Sequence, residues 1–113
     1  MRTAYSPKSH VELSSVSVGK AYGHVPGHTY SDVDVVVSHG SRRDKYRCHV
    51  VESWGSAQGY DEEHGRREAI GRGDSIEEAI RDARWRSRAA GIECEYLEQA
   101  LSRAEDEAIE AVA

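Results

Sequence analysis

The chain has six histidines and two cysteines, the residue types that most readily hold metals or do nucleophilic chemistry. Cys48 and His49 are adjacent, and on a strand adjacent side chains point to opposite faces, so the pair can neither share a metal nor form a dyad. His24 and His28 lie on either side of a Pro-Gly turn. No C-x-x-C or H-E-x-x-H spacing is present, so a zinc site is not expected. No serine occupies a G-x-S-x-G elbow. Asp61, Glu62, Glu63 and His64 are contiguous within the glycine-rich stretch 55–65. A small enzyme would have to use such a loop-borne site near His64, and this is the third-ranked reading. No catalytic residue, metal or cofactor is expected.

Binding chemistry is better represented. At about 100° per residue, Trp85 lies opposite Ile76 and Ile80 on a helix and beside Arg81 and Arg88. A tryptophan flanked by arginines has the composition of an interaction hot spot. The competing expectation is that the last helix packs on that side and Trp85 meets Leu97 or Leu101. Glu98, Glu105 and Asp106 belong to an acidic C-terminal segment, in which seven acids face Arg103 alone between Glu93 and Ala113. Such a surface can occupy a basic groove on a nucleic-acid-binding protein or complex. Arg42, Arg43, Lys45 and Arg47 form a small basic patch for the alternative of nucleic-acid binding through a hairpin and its sheet.

The elements that position these residues are legible from pattern. Gly71–Gly91 is a capped helix with its entry. Ser75 followed by Glu78 is a capping box, acids lead and arginines close, and Gly91 is placed as a left-handed cap. Ile76, Ala79, Ile80, Ala83, Ser87 and Ala90 share its inner face. Arg72-Gly73-Asp74 spells the integrin-binding tripeptide, but Gly73 as a turn residue, with Asp74 and Ser75 as caps, accounts for the same letters. Asp74, Glu77 and Glu78 also supply negative charge at the helix start, where a phosphate would otherwise bind.

Upstream, 10–22 reads as a strand with a bulge near Ser14–Ser15, because Val11/Leu13 and Val16/Val18 alternate in opposite phase. Thr29–Ser38 is the strongest strand, with Val33, Val35 and Val37 on one face, and belongs near the middle of the sheet. Lys45–Trp54 follows the polar loop 39–44. A mobile loop over 55–65 then leads to a short strand, Arg67–Arg72, with Ala69 inward and Ile70 a further candidate. From about Glu95 to Val112, Leu97, Ala100, Leu101, Ala104 and Ala108 form a second helical stripe, ending on Ala111 or Val112. Ile92–Tyr96 is either the approach to that helix or a brief strand. Strands run consecutively and then helices do, giving an α+β fold. The expectation is a four-stranded antiparallel meander followed by two C-terminal helices on one face of the sheet.

The segment Arg67-Glu68-Ala69-Ile70-Gly71-Arg72-Gly73-Asp74-Ser75-Ile76-Glu77-Glu78-Ala79 resembles the strand-to-helix junction of HicB-type antitoxins, in which a strand ends in a Gly-Asp-Ser/Thr cap before an E-E-A helix. The family's upstream proline-and-glycine signature is missing here and the strand count differs, so the resemblance implies the local junction and carries no function.

Bulk properties agree with one modest domain. At 113 residues, 38% hydrophobic and without Phe, the chain supports a single small core over 10–113, with 1–9 as a loose N-terminal arm. Two cysteines are too few for a disulfide framework. No apolar run approaches the roughly 20 residues of a membrane span. There is no apolar signal segment, so a cytoplasmic location is expected. Residues 1–60 carry five acids against seven bases, a balance of +2, and 61–113 carry fifteen against eight, a balance of −7. That split argues against general nucleic-acid binding. The leading expectation is a small acidic, non-enzymatic inhibitor or regulator acting on a protein partner. It is similar in class to phage and mobile-element proteins, anti-CRISPR proteins among them. Pairing of the last helix with a second copy, as a homodimer, is the remaining possibility for its stripe.

Overall fold

The computed structural model describes residues 11–21, 29–40, 45–56 and 64–113. Strands β1 (Val11–Ala21), β2 (Thr29–His39), β3 (Tyr46–Ser56) and β4 (His64–Gly73) precede helices α1 (Ile76–Ala89) and α2 (Leu97–Val112). All neighbours pair antiparallel in the order β1-β2-β3-β4, which is the expected meander with the valine-rich strand inside.

Period-two alternation decides the two faces. Val16, Val33, Val35, Val37, Cys48, Val50 and Ala69 point to the helices and are buried. The register shift in β1 falls between Glu12 and Ser14, just before the expected position. It turns Ser14, Val16 and Val18 inward together and leaves Val11 exposed. The buried hydroxyl of Ser14 then donates to the carbonyl of Ala104 at 2.8 Å, tying β1 to α2.

Strand β4 is longer than the short strand read from the sequence, because its first residues pair with β3 as far as His64↔Gly55. Ala69 faces inward as expected, but Ile70 belongs to the opposite face and is only half-buried. Its neighbour Gly71 has a steric role. A Cβ there would stand 2.2 Å from the backbone nitrogen of Ala83, so only glycine lets α1 settle onto the strand.

Helix α1 starts as its cap dictates, with Ser75 Oγ accepting the N–H of Glu78 at 3.1 Å. It ends in a Schellman turn. Gly91 takes φ 81°, its N–H donates to the Arg88 carbonyl, and that of Ile92 donates to Ser87. Ile92 is thereby drawn into the core, and the segment up to Tyr96 is no strand. Ala90 is exposed because it serves as the C-cap instead of extending the inner face. The stripe of α2 is buried from Leu97 to Ala108, whereas Ala111 and Val112 are exposed. No helix among the described residues is long and apolar enough to cross a membrane.

Candidate functional site

Helix α1 packs chiefly over β4 and β3, and α2 over β1 and β2. The face of α1 formed by Ile76, Ala79, Ile80, Ala83 and Ser87 meets the sheet, so Trp85 points away from the core and is 68% exposed. Packing against Leu97 or Leu101 is therefore not what Trp85 does; those two leucines are buried beneath α2. The residue that reaches α2 is its neighbour Arg84, whose Nε donates to both Glu98 carboxylate oxygens at 2.9 and 3.0 Å.

Trp85 stands beside a shallow groove of about 480 Å³ between α1 and β4, where it faces Glu68, Ile70, Arg72, Arg86 and Ala89. A second depression of about 570 Å³ continues on the Arg81 side, toward Glu78 and Asp82. Asp82 organises this surface. Its Oδ2 accepts the backbone N–H of Arg72 and the Nε of Arg86, each at 2.9 Å. Partial burial pushes the Asp82 carboxyl upward, but these two donors and the nearby guanidinium charges outweigh it and hold the pKa below the usual 3.8. Glu68 pairs with Arg66 at 3.0 Å, with His49 Nε2 at 3.8 Å from its other oxygen. Arg81 and Arg88, one turn before and after Trp85, are exposed and make no ion pair among the described residues.

The site residues expected from sequence thus divide between two surfaces. Trp85 and Arg81 line the depressions beside α1, and Arg88 is exposed on the same helix outside them. Glu98 is occupied with Arg84, Glu105 is half-buried, and Asp106 is exposed, all on α2 above β1 and β2. Of the basic patch, Arg42 and Arg43 lie outside the described residues, as does the side chain of His64. Lys45 is exposed, and Arg47 lies on the open sheet face opposite Arg72.

Sequence reasoning missed a third feature on the helix side of the sheet. A cavity of about 520 Å³ is lined by Ser31, Glu52, Trp54, Arg67, Cys94 and Tyr96 among others. The Arg67 guanidinium lies 4.5 Å from the Trp54 ring centroid and 3.4 Å from the buried Glu52 carboxylate. Cys94 Sγ is 3.7 Å from Ser31 Oγ. The signal was Glu52 sharing the inward phase of Cys48 and Val50, which demands a partner for its charge without saying which strand supplies it. Cys48 itself is buried, and burial pushes its thiol up to about 12, with Arg84 lowering it and Glu105 raising it further. A thiol so protonated is no nucleophile. Cys48 and His49 face opposite sides of the sheet, and no metal-holding cluster exists among the described residues.

No protein-family model, curated protein or solved structure matches the chain.

Proposed function

We propose that this protein is a non-enzymatic binding protein that inhibits or regulates a protein partner through the Trp85 surface of α1. The supporting observation is the 68% exposure of Trp85 on a helix whose apolar face is already filled by the sheet. A side chain of that size in water is a standing source of binding energy, and tryptophan and arginine are among the residue types enriched in interaction hot spots. Arg81 and Arg88 supply directional donors on either side of the ring. The acidic surface of α2, with Asp106 exposed, is a separate region that would steer the encounter by its charge and repel nucleic acid.

The test is a tagged pull-down from bacterial lysate with and without nuclease, read by mass spectrometry, comparing wild type with Trp85→Ala and Asp106→Lys. A protein enriched on wild type and lost on Trp85→Ala supports the reading. Enrichment that vanishes with nuclease would transfer the function to the open sheet face and its Lys45–Arg47 end. A protein held equally by wild type and Trp85→Ala would remove this surface from the assignment.

A further inference from the structure

We infer that the cavity between the sheet and the connection from α1 to α2 is a binding site for a linear aliphatic diamine or polyamine. The site is separate from the Trp85 surface, since Trp85 does not line it. Toward one end of the sheet the inward positions change character: Val33 gives way to Ser31, Val50 to Glu52, and Ala69 to Arg67. The apolar core stops there, and a space of about 520 Å³ opens between these strands and residues 93–96. That volume lies within the usual range of small-molecule sites. The connection is held at both ends, by the Ile92 N–H donating to the Ser87 carbonyl and the Leu97 N–H donating to that of Cys94. Walls fixed in advance lose little entropy when a ligand enters.

The lining selects the charge of the ligand. Glu52, Glu93 and Glu95 stand against Arg67. Counting also Lys20, which pairs with Ser31 across β1 and β2, the acids still outnumber the cations three to two. Arg67 does not saturate Glu52, whose side chain is only 8% exposed. Their contact, Nη1 to Oε1, is 3.4 Å, longer than the roughly 3.2 Å limit of an ordinary N–H···O bond. Oε2 has no partner among the described residues, although a carboxylate can accept about four bonds. Arg67 is also committed to the Trp54 ring, at 4.5 Å from its centroid. Glu93 and Glu95 are exposed and make no ion pair among the described residues. The carboxylates therefore lie at two depths, one buried and two at the rim. A metal ion needs its ligands to converge, and no metal-holding group exists among the described residues. Two ammonium groups on a hydrocarbon stem reach both depths at once, and Trp54 and Tyr96 offer that stem an aromatic wall.

The intact protein is titrated calorimetrically at low salt with putrescine and spermidine, and with butylamine, choline and calcium for comparison. Putrescine and spermidine are expected to bind about tenfold or more tightly than butylamine, and to weaken as salt is raised. Their affinity falls about tenfold on Glu52→Gln, which removes a buried charge. It falls about two- to fivefold on Glu93→Gln combined with Glu95→Gln, which removes exposed ones. Trp85→Ala leaves it unchanged, so failure of this inference leaves the Trp85 reading standing. Thermal melting confirms that each variant folds, and the paired rim variant carries the test if Glu52→Gln does not. Butylamine or choline binding as tightly as putrescine overturns the two-ended ligand, and calcium doing so overturns the organic cation. Amine binding that the carboxylate variants leave unchanged reflects general attraction to an acidic chain and overturns the site. Absence of amine binding overturns the inference.

Discussion

The carboxylate of Asp82 accepts the backbone N–H of Arg72 across the junction between helix and edge strand, at 2.9 Å. One side chain thus caps the last outward amide of β4 and, through Arg86, braces the helix that carries Trp85. The folded-state pKa of Asp82 is depressed, so its contribution is fully present above the unfolded value of 3.8 and is lost as pH falls through the folded value. Asp82→Ala is expected to cost about 1 kcal/mol at neutral pH, a modest figure because the site is partly solvated. In urea titrations from neutral pH downward, the gap between wild type and Asp82→Ala closes below about pH 4. A gap that stays constant would mean that the hydrogen bond does not depend on ionisation.

Ser87 is the one polar residue on the buried face of α1, with 0% exposure, and its hydroxyl has no hydrogen-bond partner among the described residues. A buried hydroxyl left unpaired costs on the order of 1–3 kcal/mol. Ser87→Ala removes that penalty and improves helix propensity while giving up little volume. The variant should therefore melt at or above the wild-type temperature. A clear loss of stability would show that the hydroxyl is paired in solution, most simply by an internal water.

These energetics explain why the frame was legible in sequence and the site only partly so. The Ser75 cap, the Gly91 turn and the valine alternation are local rules, and each is satisfied where its residues stand. The place of Trp85 depended on which side of α1 the second helix would take. That choice is fixed by Gly71, which seats α1 over β4, and by Arg84 reaching Glu98, neither of which has a local signature. The Glu52–Arg67–Trp54 group was equally hidden, because its partners come from two strands and meet only once the register is known.

The two thiols should separate cleanly. Cys48 is buried in the core with its pKa pushed up to about 12. Cys94 is half-buried beside a cavity. At pH 8 a disulfide reagent such as dithionitrobenzoate should titrate a single thiol in the native protein and both in denaturant. Cys94→Ser should abolish the native reaction. Rapid modification of Cys48 in the folded protein would contradict the packing of β3 under α1.

Charge reversal on α2 should give different outcomes at neighbouring acids. Glu98 is held by Arg84 at 2.9 Å and links the two helices. Glu98→Lys replaces that pair with like charges, so a loss of about 0.5–1 kcal/mol in stability is expected from an exposed bridge. Asp106 is exposed and makes no ion pair among the described residues, so Asp106→Lys should stay within about 0.5 kcal/mol of wild type. Thermal melts at low and high salt check both. The deficit of Glu98→Lys should shrink at high salt, because screening weakens the new repulsion. Any effect of Asp106→Lys on partner capture would then report on encounter and not on folding. If Asp106→Lys proved as destabilising as Glu98→Lys, the acidic face of α2 would be part of the fold's own support, and its assignment to steering would fail.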